Sequence, residues 1–298
     1  MSGFLNLLYS TIRFGTRFHG PAKPEAPGAY SAALALQPLI GLLLGVAAAF
    51  LPLFITVNFR GLHGLMLFAS GIYLFLLEWL TRFDNLHGFD AACRMLAGTD
   101  VPPEERLARL GQPGSSPCTA LLVGLKLLLL YLIFLKTALY GDNMLLAAVL
   151  VTAPFFGRIA MLFCYPSSPG KQTGAVSLPI KLIWTLAALL LLAFLLGTLR
   201  TFGGNFFSFR SMKLTMSGFH ANGNSGGVSP LIAIVSLGIQ DSFSFFAAVF
   251  LAVMYWNTEA AKKLGFRPAP CFAGAVCETA ELAVTVIFLI LTDDLIFG

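Results

Sequence analysis

Apolar residues fall in seven long stretches: Ala32–Val57, Gly64–Leu80, Thr119–Leu135, Met144–Tyr165, Leu178–Thr198, Leu231–Trp256 and Phe272–Thr292. Each is long enough, or nearly so, to cross a bilayer, which takes about 20 residues of helix. Runs of this kind are helical and lack the ten-residue alternation of a membrane β-barrel. The pattern predicts an all-α integral membrane protein, a bundle of about seven transmembrane helices forming a single domain over 1–298. Residues 1–31 read as an N-terminal interfacial segment, 81–118 as a long polar loop and 199–230 as a flexible loop rich in Gly, Ser, Asn and Phe. In the first of these, Leu5, Leu8 and Ile12 recur at helical spacing with Arg13 and Arg17 beside them. That predicts a helix lying in the interface rather than a cleaved leader.

Composition supports the pattern. Of 298 residues, 57% are hydrophobic and only 11% charged; a soluble domain carries about a quarter. The net charge of +5 calls for no nucleic-acid partner, because membrane proteins concentrate Lys and Arg in cytoplasmic loops. Eleven of the 19 Lys and Arg fall in the N-terminal segment and the even-numbered loops, and five in the odd-numbered loops. The positive-inside rule then predicts a cytoplasmic N-terminus, with the inner membrane as location. Cys93, Cys118, Cys164, Cys271 and Cys277 form no CxxC pair and no disulfide framework.

With that topology, the charges inside the spans gather at one end. Lys126 lies seven residues into its span, Arg158 is similarly deep, and Glu278 and Glu281 stand one turn apart in the last. Glu78 and Lys181 sit shallower. A charge facing lipid costs about 3 kcal/mol on insertion scales, so the set predicts ion pairs around a polar cavity open to the cytoplasm, against the alternative of snorkelling helix ends. Asp241, near mid-span, reads equally as a helix break or as an interior hydrogen-bonded carboxylate.

No P-loop, GxSxG or HExxH occurs. In the long loop, Asp84, His87 and Asp90 are spaced three apart, and a helix would align them. Two carboxylates and an imidazole can hold a divalent cation; ordinary solvated charges are the alternative. His87, Cys93, Cys271 and Cys277 are weighed as a soft-metal set against cysteines as small apolar fillers.

The ordered features resemble the cobalamin synthase family, adenosylcobinamide-GDP ribazoletransferase. Leu7–Phe14 and Gln37-Pro38-Leu39-Ile40-Gly41-Leu42-Leu43-Leu44-Gly45 resemble the family's "F-x-T-R" and "F-P-L-V-G-L-L-L-G" opening. The stretch from Leu80 to Ala91 resembles its "L-T-G-G-x-H-L-D-G-L-A-D", and Glu104-Glu105-Arg106-Leu107 its "E-E-R-L". Gly157-Arg158 with Lys171-Gln172-Thr173-Gly174 looks like its "G-R" helix and following basic loop. Lys262–Gly265, Gly274-Ala275 and Glu278-Thr279-Ala280-Glu281 fit its closing segment, ending "G-A-x-x-E-x-x-E". The chain departs from the pattern at Asn85, His87, Ala91 and Arg94, which fall on the family's His and three Asp, and at Ala269-Pro270-Cys271, which replaces "T-G-D". Gly111–Ser116 stands where the family has "K-D-S-R-I-G", without its Asp or Arg.

The resemblance implies a membrane transferase that joins adenosylcobinamide-GDP to α-ribazole or its phosphate and releases GMP. It implies catalytic roles for Asp84, His87 and Asp90, Mg²⁺ held by Asp84, Asp90, Glu278 and Glu281, and substrate contacts from Arg158, Lys171 and Lys126. The partners it implies are these substrates and the lipid bilayer, with further copies of the chain or other cobalamin-assembly proteins left open. A catalytically silent relative that binds a corrinoid, a nucleotide or a partner subunit is the alternative. A small-solute or metal transporter is the second; it is disfavoured because no inverted repeat is visible and the charged layer lies at one end.

Overall fold

A computed structural model describes residue 11 and residues 27–59, 61–97, 102, 116–140, 143–165, 176–202, 242–243, 245–247, 249–259 and 272–297. The helices are α1 (Pro27–Ala35), α2 (Gln37–Asn58), α3 (His63–Leu80), α4 (Asp84–Ala97), α5 (Pro117–Tyr140), α6 (Asn143–Leu162), α7 (Leu178–Phe202) and α8 (Ala273–Phe297). Among the described residues there is no strand. Among the described residues, six helices are long and apolar enough to span a membrane: α2, α3, α5, α6, α7 and α8. A shorter apolar helix, Phe245–Glu259, covers the second half of the stretch expected over Leu231–Trp256. Asp241 lies outside the described residues.

Two boundaries differ from the hydrophobic pattern. The first apolar stretch divides at Leu36, between α1 and α2. Pro38 follows two residues later; it lacks an N–H and its ring crowds the carbonyl one turn back, so a continuous helix would be strained there. The long polar loop is also not all loop, since α4 fills 84–97. Phe89, Ala92, Met95 and Leu96 give α4 a buried apolar face, and its charges had masked that helical spacing.

Helix α6 forms the centre, with 89% of its membrane-length window buried against 22% for α7. Helix α2 packs on it through Gly41, Gly45, Ala48 and Ala49. A β-carbon on Gly45 would lie 2.9 Å from the Leu150 carbonyl and from Val151 Cα, so the two backbones meet. Close approach through small residues is how membrane helices gain contact when lipid removes the hydrophobic drive between them. The opposite side of α2 carries exposed Leu43, Val46, Phe50 and Phe54, an apolar surface suited to acyl chains.

The turn from α3 into α4 aims the polar end. Phe83 N–H donates to Glu78 O at 2.7 Å and Arg82 N–H to Trp79 O at 3.1 Å. This is a Schellman closure, which needs a left-handed residue just past the helix. Arg82 and Phe83 both adopt φ of 60°, and Phe83 rests edge-on against Phe75 at 6.5 Å.

A candidate ion-cluster site at one end of the bundle

Four helices deliver charge to one buried place. Glu78 comes from the last turn of α3, Lys126 from α5, Glu278 and Glu281 from the start of α8, and Arg158 from the end of α6; all are buried. The Lys126 ammonium contacts Glu278 Oε2, lies 2.8 Å from Glu281 Oε2 and 3.7 Å from Glu78 Oε1. The ion pairing expected of Glu278 and Glu281 with Lys126 is therefore present. Buried charge is tolerated only when paired in this way. Arg158 Nη1 donates to Gln37 Oε1 at 3.1 Å, and Cys277 Sγ lies 3.5 Å from Glu281 Oε1. A cavity of about 20 Å³ borders Lys126 and Glu281, with Tyr73 and Thr285 in its wall. That is room for one water.

Glu78, expected in the same charged set at a shallower depth, joins the cluster as a buried member. Its place near the end of its apolar stretch left snorkelling as the alternative. The Schellman turn instead directs the chain away while the Glu78 side chain stays inside.

The Asp84, His87 and Asp90 trio does share α4, but it does not form one site. Asp84 and His87 are exposed, whereas Asp90 is buried. Asp90 Oδ1 accepts from the Ser116 N–H and from Thr119 Oγ1 at 2.9 Å, and Oδ2 from Arg94 Nε at 2.8 Å. Ser116 in turn caps α5, its Oγ accepting from Cys118 N–H at 3.2 Å. Asp90 therefore pins the start of α5 to α4. Burial raises its pKa, but the Ser116 and Thr119 hydrogen bonds and the Arg94 charge outweigh that and hold it below the usual carboxylate range. Asp84 moves the other way. Partial desolvation lifts it above the usual range, against the pull of Arg82, Arg158 and His87.

The implied Mg²⁺ set does not assemble. Both Asp90 oxygens already accept hydrogen bonds, and Glu278 and Glu281 face Lys126. Among the described residues, the carboxylates whose oxygens converge are Glu78, Glu278 and Glu281, with one oxygen of each within 4.8 Å of the others. Lys126, expected to meet substrate, is enclosed by these three. Lys171 and Cys271 lie outside the described residues. The soft-metal set also divides, since His87 is exposed on α4 while Cys277 is buried beside Glu281.

One expected meeting does occur. The long polar segment and the start of the last helix cross at Gly88 and Gly274. A β-carbon on Gly274 would lie 2.7 Å from Asn85 O and 2.9 Å from Gly88 Cα. Trp256 completes the corner, with its ring 5.8 Å from that of Phe89 and its Nε1 donating to Thr279 Oγ1 at 2.9 Å.

Fold and site together define a polytopic all-α membrane protein with a buried ion cluster toward one end of its bundle. No family model matches the chain, and neither a curated protein nor a solved structure matches it.

Proposed function

We propose that this chain is a divergent member of the cobalamin synthase family, acting at the cytoplasmic end of the bundle as an adenosylcobinamide-GDP ribazoletransferase of the inner membrane. One observation carries the reading. Aligned on Leu80-Thr81, the consecutive glycines of the family's "L-T-G-G" fall on Arg82 and Phe83, the two positive-φ non-glycine residues among those described. Only glycine enters that region freely. A turn whose backbone calls for the family's residues where the chain has replaced them supports common descent of the corner. The crossing of Gly88 with Gly274 adds that the two segments given chemistry by the resemblance are neighbours.

In this reading the open face of α4 is where reaction occurs. The α-ribazole 5′-hydroxyl forms a new bond to the phosphorus bound to cobinamide, the bond to GMP breaks, and the hydroxyl proton passes to Asp84 or His87. An Asp84 carboxyl raised by desolvation suits proton transfer nearer neutral pH. Arg158, to which the resemblance gives a substrate contact, is instead buried and donates to Gln37 Oε1 at 3.1 Å. The residues to which the resemblance gives Mg²⁺ do not fit it as a set, since Asp90 is taken up by Ser116, Thr119 and Arg94, and Glu278 and Glu281 by Lys126.

A second reading, a relative that kept the fold and lost the reaction, is favoured by Asp90 being committed to α5. Complementation separates the two. A strain lacking its synthase should grow on cobinamide with this chain and fail with Asp84→Ala or His87→Ala at equal membrane levels. No growth with well-expressed wild type, and no GMP release in vitro, would sink the transferase. Orientation has its own test: Cys118, exposed at the start of α5, should label only from the cytoplasmic side in a background lacking the other cysteines.

A further inference from the structure

The Lys126 ammonium stands where an ion would. Three carboxylates, one from α3 and two from α8, surround it, with an oxygen of each within 4.8 Å of the others. That spacing suits oxygens around a single small cation, whose ligands sit about 2.0–2.6 Å from it. The side chains are 0–6% exposed, so bulk water cannot share the charge. Two further oxygens, Glu78 Oε2 and Glu278 Oε1, are buried with no hydrogen-bond partner. An ammonium has three hydrogens, and the cluster offers more acceptor capacity than they fill. The adjoining cavity of about 20 Å³ could seat one water ligand.

We propose that Glu78, Glu278 and Glu281 form a hard-cation site in which the Lys126 ammonium is the resident ion. A tethered cation thereby closes the site to divalent metals. A divalent ion entering beside the ammonium would meet strong like-charge repulsion in a low-dielectric place. Removing the ammonium leaves three carboxylates with, among the described residues, Arg158 to offset them, which is the charge that recruits a divalent ion. This inference does not depend on the transferase reading and holds equally for a catalytically silent relative.

The test uses the full chain in detergent with Mn²⁺ as a paramagnetic probe and Mg²⁺ in thermal unfolding. Wild type should bind no Mn²⁺ that Glu278→Gln removes. Lys126→Ala and Lys126→Met should each bind one Mn²⁺ at least about tenfold more tightly than any wild-type binding. Their unfolding midpoints should rise roughly 5 °C between no Mg²⁺ and about 10 mM. Adding Glu278→Gln to either variant should abolish both responses. Variants that fold only when divalent metal is supplied also support the site. Wild type binding one Mn²⁺ that Glu278→Gln removes would overturn it. So would lysine variants that fold but ignore divalent ions, or that fail to fold with and without them.

Discussion

Gly157 lies so close to Glu281 that a β-carbon on the glycine would sit 2.7 Å from Glu281 Cγ and 2.9 Å from its Oε1. The central helix therefore opens a notch for the side chain that holds Lys126. Gly157→Ala gains up to about 1 kcal/mol of helix propensity. Overpacking costs about 1–3 kcal/mol, and here it also pushes Glu281 off its ion pair. Net destabilisation is expected, read as a lower unfolding midpoint. A variant as stable as wild type would show that Glu281 has another seat.

Gly274→Ala should be harsher, because its neighbours are the backbones of Asn85 and Gly88 rather than a side-chain tip. Helix α4 must then move off α8. The expected result is loss of complementation together with a lower midpoint, whereas Gly124→Ala, with open space around its β-carbon position, should keep complementation and raise the midpoint through helix propensity of up to about 1 kcal/mol.

At the corner after α3, Arg82→Gly should stabilise the protein. Left-handed backbone costs a non-glycine residue about 1–2 kcal/mol, and glycine gives back up to about 1 kcal/mol through unfolded-state entropy. A gain of about 0.5–1 kcal/mol is expected in denaturant midpoints. Phe83→Gly should gain little, since it loses the ring contact with Phe75.

Asp90 sets an acid limit on the α4–α5 junction. Its folded-state pKa is lowered, so its contribution is fully present above the unfolded value of about 3.9 and disappears as pH falls through the lower folded value. Asp90→Ala should remove about 1–3 kcal/mol by leaving the Ser116 N–H unpaired. It should also flatten the loss of stability below about pH 4, measured by unfolding at a series of acid pH values.

The spans were legible because lipid demands length and apolarity together, and six of the seven expected stretches coincide with helices to within a few residues, except where Pro38 breaks the first and where α5 and α8 each run five residues past their stretches. The charge layer was legible for a related reason: Lys126, Glu278 and Glu281 interrupt runs that tolerate few charges. Glu78 was legible in the same set but at the wrong depth, because a carboxylate near a helix end has two outcomes, water or interior, and the turn after it decides which. Asp90 escaped because its partners, Ser116 and Thr119, lie 26 and 29 residues on, and no local spacing announces a capping contact at that range. The rotation of α4 that separates Asp84 from Asp90 is set by the apolar face of Phe89, Ala92 and Met95, a spacing hidden among charges.

The order of the cluster along the chain matters during synthesis. Lys126 emerges 152 residues before Glu278 and 155 before Glu281, an interval of roughly 8–30 s at about 5–20 residues per second. Throughout that time α5 holds an ammonium with neither α8 carboxylate yet made. Glu78, on the preceding membrane helix, is the one member of the triad made before the lysine. In the finished fold its contact with the lysine is the longest of the three, at 3.7 Å, so the pairing is completed only when the last helix is in place.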